Sequence, residues 1–328
     1  EELAFDQLET AEVLRASGVP AGLEEVREIA RVTEGWPVGV RLAAGALRER
    51  WPTEPDQHFA GEHHLVVDYV REELLGAQDP SVAQFLLESA ILDRLSAARC
   101  DELLERSDSG VMLDRLAREQ MVLTVLDPRR EWFRYHQLFA DALGAELTRR
   151  GPARARALHL RASEMHAGAG EGDAAVRHAL AAGDRGAAAG LIWRLLPAYL
   201  SGGRADTVRR WLALFGPEEV ERDPRLALAN AYLHVETRSD LVAHWVHVAE
   251  ISMRQGALAD GDGLAAAARL LRVLIAVDGV ETMGREASLA FAEAPEAGIW
   301  RALCRFFEGA SLHLRDRPEE ARLLLEDG

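Results

Sequence analysis

Apolar residues recur along most of the chain with the spacing of amphipathic helices. Residues 7–17 and Leu23–Thr33 each place apolar side chains on one helical face, and a Gly and a Pro separate the two stretches. Gly35 can end a helix, and Pro37 suits the first turn of the next one. The pattern therefore predicts a helical arm over residues 1–50.

The pattern changes after this arm. Residues 51–64 hold two Pro and little periodicity, which predicts a linker. Further helical stretches follow, and then two short runs rich in β-branched and aromatic residues, MVLTVLD and EWFRYH, flank the turn residues PRR. Such runs on both sides of a Pro-containing turn are typical of a β-hairpin. Several helices, one hairpin and a further helix predict a winged-helix domain over residues 65–150.

Beyond residue 153, helical stretches alternate with short breaks that contain Gly or Pro. Small or apolar residues recur 33 positions apart, for example at Ala175, Val208 and Leu241. This spacing is close to the ~34-residue period of tetratricopeptide repeats. We therefore predict a tetratricopeptide-like α-solenoid over residues 153–328 and a mainly α fold for the chain. No polar helix closes the series as a cap, so we expect this chain to be part of a longer protein.

Composition agrees with helices packed on helices, since hydrophobic residues make up 48% and aromatic residues only 6%. The net charge of −16, from 38 basic and 54 acidic residues, would repel a nucleic-acid backbone. Cys100 and Cys304 lie far apart and suggest no disulfide framework. No apolar run reaches the ~18 residues that a membrane span needs, and no signal peptide is apparent. A cytoplasmic location is expected.

The chain contains no lysine, so every basic residue other than histidine is arginine. The phosphate-binding loop of the Walker A type needs a lysine that reaches the β- and γ-phosphates. The sequence therefore excludes a standard P-loop from this chain. If the protein binds nucleotide, most of its phosphate site is expected outside these residues.

Five stretches occur in an order and at a spacing that resemble those of the MalT-like regulators. These regulators are the large ATP-dependent members of the LuxR family, within the signal-transduction ATPases with numerous domains. The stretches are TEGWPVGVRLAAGAL (33–47), DYVREELL (68–75), FLLESAILDRL (85–95), EWFRYHQLFADAL (131–143) and HLRASEMHAGAGEGDAAVRHALAAGD (159–184).

The resemblance implies a modular switch. A P-loop domain would precede residue 1, and a DNA-binding helix-turn-helix would often follow the sensor repeats. Some relatives instead carry a kinase or cyclase domain at the N-terminus. In such switches ADP is held in a closed form, whereas ATP and an inducer favour an open form that self-associates. ADP or ATP is thus expected only in the longer protein, with an inducer at the repeats and DNA on a separate domain.

The resemblance also implies three site residues. Pro37, together with Trp36, matches the arm motif that packs near adenine, and His136 matches the winged-helix histidine that contacts the ADP phosphates. A histidine between a wing strand and a helix N-terminus lies where backbone N–H groups favour an anion. Structural roles remain open for all three residues. Arg134 could meet a phosphate or an acidic partner, but a solvated strand face is the preferred interpretation.

Other polar groups offer little chemistry. His58, His63 and His64 form a loose cluster beside Glu62, but their spacing fits no zinc finger, and no metal is expected. Adjacent carboxylates such as Glu72–Glu73 and Glu319–Glu320 do not face each other on a helix. No motif for nucleophilic or metal-dependent catalysis is present. We expect neither enzymatic activity nor ATP hydrolysis from this chain.

Six aromatic residues lie in the predicted repeats, and most are expected to form core between neighbouring helices, with at most two facing a ligand. They are Trp193, Tyr199, Trp211, Tyr232, Trp245 and Trp300. Three functions remain open at this point. The chain is the regulatory region of a transcriptional switch, the same region attached to a kinase or cyclase, or a constitutive protein-binding scaffold.

Overall fold

The structure is a computed structural model that describes residues 4–50, 75–118, 123–235, 237–256, 263–275, 279–294 and 299–327. In these ranges helices dominate, and the only sheet is a two-stranded antiparallel one. The predicted mainly α fold with one β-hairpin is confirmed. None of the helices in these ranges combines the length and the apolar character needed to cross a membrane. The chain divides into two compact units, Glu1–Met165 and His166–Gly328.

The arm at the start of the first unit consists of three helices, as predicted: α1 (Gln7–Ala16), α2 (Leu23–Thr33) and α3 (Pro37–Arg50). Asp6 caps α1, because its carboxylate accepts the backbone N–H groups of Leu8 and Glu9. Apolar side chains of the three helices and the first turn build a small core, formed by Leu14, Val19, Val26, Ile29, Ala43 and Ala44. The expected linker over 51–64 lies outside the described residues.

Helices of the expected winged-helix domain follow: α4 (Leu75–Ala77), α5 (Pro80–Ser89), α6 (Ala97–Leu104) and α7 (Ser109–Arg118). Pro80 stands at the first position of α5, where its missing N–H costs nothing. The Ser96 side chain accepts the N–H of Arg99 and caps α6. Most of the stretch DYVREELL, including Glu72–Glu73, lies outside the described residues.

The predicted hairpin, which we call the wing, is confirmed, with β1 (Leu123–Val125) antiparallel to β2 (Phe133–Tyr135). In its register Thr124 lies opposite Arg134. The carboxylate of Asp127 holds the turn, because it accepts the N–H groups of Arg129, Glu131 and Trp132. Leu95 exchanges two backbone hydrogen bonds with Phe133, which ties the hairpin to the segment before α6.

The core of this domain surrounds Phe85 of α5 and Phe139 of α8 (Gln137–Arg150), both fully buried. The buried hydroxyls of Tyr135 and Ser89 lie 2.8 Å apart and share a hydrogen bond. Helix α9 (Pro152–Gly168) follows, and Arg154 at its start donates two hydrogen bonds of 2.8 Å to the Glu88 carboxylate. Through Phe133 and Tyr135, strand β2 therefore packs against the helices of this core.

The second unit is entirely helical in the described residues. Most consecutive helices of this unit pack on each other, which is the contact pattern of a helical-repeat domain. Its helices are α10 (Gly172–Ala181), α11 (Arg185–Ser201), α12 (Ala205–Leu212), α13 (Pro217–Arg222), α14 (Pro224–Tyr232), α15 (Ser239–Arg254), α16 (Leu264–Ile275), α17 (Gly279–Glu293), α18 (Ile299–Leu314) and α19 (Pro318–Asp327).

The 33-residue spacing holds for the first two repeats and then slips by one residue. Ala175 and Val208 are fully buried, as their place in the predicted pattern requires. Leu241 is only half-buried, and the fully buried residue is its neighbour Val242. The short helix α13 lies between the second and third repeats, so the chain does not keep one strict period.

The aromatic residues of the second unit belong to its core. Trp193, Tyr199 and Trp211 are buried, and the other three pack partly buried against the same cluster. The Trp193 ring stacks on Trp300 with centroids 5.3 Å apart, and Tyr232 leans on both. The expectation that most of the six form inter-helix core is confirmed.

Candidate functional site

The turn between α2 and α3 has a backbone conformation that requires a glycine. Glu34 and Gly35 follow each other with φ of 52° and 71°, in the left-handed region. A Cβ on Gly35 would lie 2.3 Å from the Phe5 carbonyl oxygen, and the Phe5 N–H donates to the Gly35 carbonyl at 2.7 Å. Glycine is therefore required at this position. The turn aims the next side chain, Trp36, away from the arm's own core.

Trp36 is inserted into the core of the winged-helix domain, with 6% of its surface exposed. Its ring stacks on His136, with centroids 6.0 Å apart and an interplanar angle of 15°. It meets Phe139 edge-on at 6.0 Å. Two of the three predicted site residues, a hundred positions apart, thus lie together. The third, Pro37, is half-buried at the first position of α3, directly after Trp36.

His136 occupies the position between β2 and α8 that the sequence predicted. It is the N-cap residue of α8, and its carbonyl accepts the N–H groups of Phe139 and Ala140. Its Nδ1 lies 3.3 Å from a carboxylate oxygen of Glu34, and its Nε2 lies 3.4 Å from the Thr124 hydroxyl. Burial lowers the pKa of His136 from its ordinary value of 6.5, and Glu34 opposes this only in part. The neutral ring is therefore favoured at pH 7.

Arg134 does not lie on a solvated strand face, so that interpretation is wrong. Its Nη1 donates to the other carboxylate oxygen of Glu34 at 2.8 Å. Both side chains are about one-third exposed, at 35% and 28%. The register places Arg134 opposite Thr124 on the hairpin, while the arm supplies the carboxylate. The strand therefore presents Arg134 towards the arm.

Glu34 is the residue that the sequence analysis missed. Burial tends to raise the pKa of its carboxyl group, but the hydrogen bond and charge of Arg134, together with His136, outweigh burial and lower this pKa. Glu34 is therefore ionised at neutral pH. No motif signals its role, because the partners of Glu34 lie about a hundred positions later in the chain.

The arrangement suits recognition of an anion better than catalysis. A guanidinium, an imidazole and the N-terminal end of α8 converge within one small region, and each favours negative charge. The two cysteines are buried, and burial raises the pKa of Cys100 to about 12 and of Cys304 to about 11, which leaves both unreactive at neutral pH.

Metal-binding groups of three or more suitable side chains do not occur in the ranges that the structure describes. His58, His63, His64 and Glu62 lie outside these ranges, so the expectation about them stays a prediction. Glu319 and Glu320 stand at the start of α19, and Glu320 pairs with Arg317 on the surface.

Comparison with known proteins finds similarity to a domain family and to longer proteins. Residues 71–155 match the family model of the MalT winged helix domain. The serine/threonine-protein kinase PknK of Mycobacterium tuberculosis is 32% identical over 192 residues, which cover 58% of this chain and 17% of the kinase. The HTH-type transcriptional regulator MalT of Vibrio cholerae is 26% identical over 238 residues, which cover 70% of this chain and 26% of the regulator.

The chain thus spans about a quarter or less of the length of these relatives. The matched segment begins before α4 and ends within α9, so it includes the hairpin, Arg134 and His136. The arm residues Glu34, Trp36 and Pro37 lie before it. Residues 71–155 are thus similar to the MalT winged helix domain, within a chain that is similar to the regulator MalT over 70% of its length.

Proposed function

We propose that this chain is the regulatory region of a MalT-type, signal-responsive transcriptional regulator of the cytoplasm. In this proposal the arm and the winged helix close over ADP held by a P-loop domain elsewhere in the protein. The tetratricopeptide-like repeats sense an inducer or partner and release the switch into an open form, which then self-associates. The chain itself contributes no catalytic group.

The observation that carries the proposal is the stacking of Trp36 on His136. The arm motif and the winged-helix histidine come from separate elements, and the contact between the Trp36 and His136 rings joins them at the N-terminus of α8. A nucleotide held between arm and wing would meet both. Separating the two elements would remove a phosphate contact, and this gives the nucleotide different affinities for the two states.

The test is ADP binding by the longer protein that contains this chain, comparing the unaltered protein with His136→Ala and Pro37→Ala. Loss of one charge-assisted contact should weaken ADP binding by about 10-fold to 100-fold for His136→Ala. Pro37→Ala should have a smaller effect of the same sign. Isothermal titration measures the affinity, and light scattering measures self-association with ATP and inducer.

Two matched variants serve as controls. His313→Ala removes an exposed histidine of α18, and Pro217→Ala removes a proline from the first position of α13. Neither should change ADP affinity. If His136→Ala and Pro37→Ala behave like these controls in both measurements, the assigned site is wrong.

A second candidate is the same regulatory region attached to a protein kinase. Its support is the similarity to the kinase PknK, which exceeds in identity the similarity to the regulator MalT. The sequence upstream of residue 1 separates the two. A G-x-x-x-x-G-K-[ST] motif would support the ATP-dependent regulator, and a kinase signature would support the alternative.

A further inference from the structure

On the wing, the groups that could donate hydrogen bonds to an anion already contact a carboxylate of this chain, that of Glu34. Glu34 comes from the arm, whereas Arg134 and His136 come from β2 and the residue after it. One oxygen of Glu34 accepts from Arg134 at 2.8 Å, and the other lies 3.3 Å from Nδ1 of His136. A single carboxylate thus bridges both groups, and an ionised carboxylate offers them the same kind of charged acceptor as a phosphate does.

The hydrogen bonds of His136 show what an incoming anion would need. In a neutral imidazole only one nitrogen carries a proton, and Nδ1–H is the tautomer that can donate to Glu34. Nε2 then accepts from the hydroxyl of Thr124, at 3.4 Å. In this tautomer no donor remains on the ring. A phosphate group that binds the uncharged His136 must therefore take the Nδ1–H that Glu34 holds.

The charges also require that an incoming anion displace Glu34. The positive guanidinium of Arg134 is neutralised by Glu34 at direct contact distance, so the pair presents little net attraction to another anion. Removing the carboxylate charge while keeping the shape would leave one uncompensated cation at the N-terminus of α8. The half-buried position, with 35% and 28% of the two side chains exposed, keeps solvent from screening this charge completely.

We propose that Arg134 is a phosphate-binding residue of the wing and that Glu34 competes with phosphate for it and for His136. The inference rests on the proposed function, since that function supplies a phosphate-bearing ligand. Glu34 stands two positions before Trp36, so phosphate binding on the wing releases the arm residue beside the docked tryptophan. Nucleotide occupancy and attachment of the arm are thereby linked through one carboxylate.

The experiment titrates inorganic pyrophosphate into the full 328-residue chain at pH 7.0 and low salt. Binding is followed by the ring signals of ¹⁵N-labelled histidine, with His136→Gln identifying the signal of His136. The unaltered chain should bind weakly. Glu34→Gln should bind on the order of tenfold more tightly, because it keeps the shape and removes the competing charge. Arg134→Gln should abolish this gain in the Glu34→Gln background.

Three variants control for structural effects. Glu24→Gln makes the same change of charge on α2 at a side chain that is 92% exposed, and should bind like the unaltered chain. Glu34→Asp retains the charge and should also remain weak. Glu34→Ala provides a second neutral side chain and should bind more tightly than the unaltered chain even if Glu34→Gln fails to fold.

The competition is wrong if the neutral variants at position 34 bind pyrophosphate no more tightly than Glu24→Gln, or if Arg134→Gln leaves their affinity intact. Failure of the proposed function has a different signature. ADP affinity of the longer protein would then be indifferent to His136→Ala, whatever the pyrophosphate titrations show. If ADP affinity depends on His136 but pyrophosphate affinity does not depend on Glu34, only the proposed competition is contradicted.

Discussion

His136 must satisfy two demands at the scale of a single residue. Its ring is packed under Trp36, and burial holds its pKa below the ordinary histidine value. Its Nδ1 nevertheless lies within hydrogen-bond distance of an ionised carboxylate. Packing and hydrogen bonding together fix the ring orientation, and a fixed orientation is what a ligand-binding histidine requires. The surrounding aromatic residues supply the packing, and the imidazole supplies the polar contact.

The lowered pKa of His136 makes the stability of the first unit depend on pH. The unfolded chain binds a proton near pH 6.5, whereas the folded chain binds it only at lower pH. Folding stability should therefore fall as the pH drops from 7 through the ordinary histidine range. Urea unfolding at a series of pH values should show a shallower decline for His136→Gln than for the unaltered chain.

His313→Gln, which changes an exposed histidine of the second unit, should keep the original slope. Some slope should persist in His136→Gln, because burial also lowers the pKa of His159. Glu34 acts in a lower range: its lowered pKa adds stability that is lost as the pH falls below its ordinary value of 4.5. Identical slopes for His136→Gln and the unaltered chain would contradict a buried, uncharged ring.

The sequence offers His136, Trp36 and Pro37 as candidates only through its resemblance to the MalT-like regulators, whose motifs these residues match. Their meeting could not be predicted, since periodicity describes neighbours along one helix and carries no information on which elements touch. Glu34 shows the limit clearly. Glu34 lies in the stretch 33–47 that carries the resemblance, but that resemblance assigns it no role, and only the fold places it against Arg134.

At the scale of elements, the turn between α2 and α3 determines where the arm meets the wing. Proline positions and apolar periodicity were sufficient to predict the helices on both sides and the hairpin. The path of the turn depends on two successive left-handed residues, which the sequence marks only through Gly35. The one-residue slip at Val242 was likewise not predictable, because Leu241 and Val242 are both apolar and their spacing does not decide which of them is buried.

Gly35→Ala should destabilise the chain by about 2 kcal/mol or more, because an added Cβ meets the Phe5 carbonyl and the backbone is left-handed. Gly45→Ala in α3 is the matched control. A Cβ there has no atom within 4 Å, so the helix should gain about 0.5–1 kcal/mol. The midpoints of urea unfolding measure both changes. Equal effects of the two substitutions would mean that the turn is not constrained in this way.

At the scale of the whole molecule, the acidic balance limits what the winged helix can bind. Winged helices are often associated with DNA, but the net charge of this chain is −16. Arg134, the residue of the wing that we propose to bind phosphate, is paired with Glu34. We therefore propose that the domain contacts another domain rather than a nucleic-acid groove.

We expect the 328-residue chain to show no salt-dependent binding to duplex DNA. Fluorescence anisotropy with a labelled duplex at 50 mM and at 200 mM salt is the appropriate measurement, since real phosphate contacts weaken steeply over this range. Competition by an unlabelled duplex serves as the control for any signal. Binding that weakens between the two salt concentrations would overturn the assignment of the wing to contacts between domains.

The ion pairs of the described residues have one further consequence. Arg134 with Glu34, Arg154 with Glu88, and Arg269 with Glu293 all use a guanidinium, because the chain has no lysine. A guanidinium stays protonated beyond pH 12, whereas an ammonium group loses its proton near pH 10. Alkaline conditions therefore leave these links intact. These three ion pairs respond asymmetrically to protons: acid weakens them by protonating the carboxylate, whereas base leaves both partners charged.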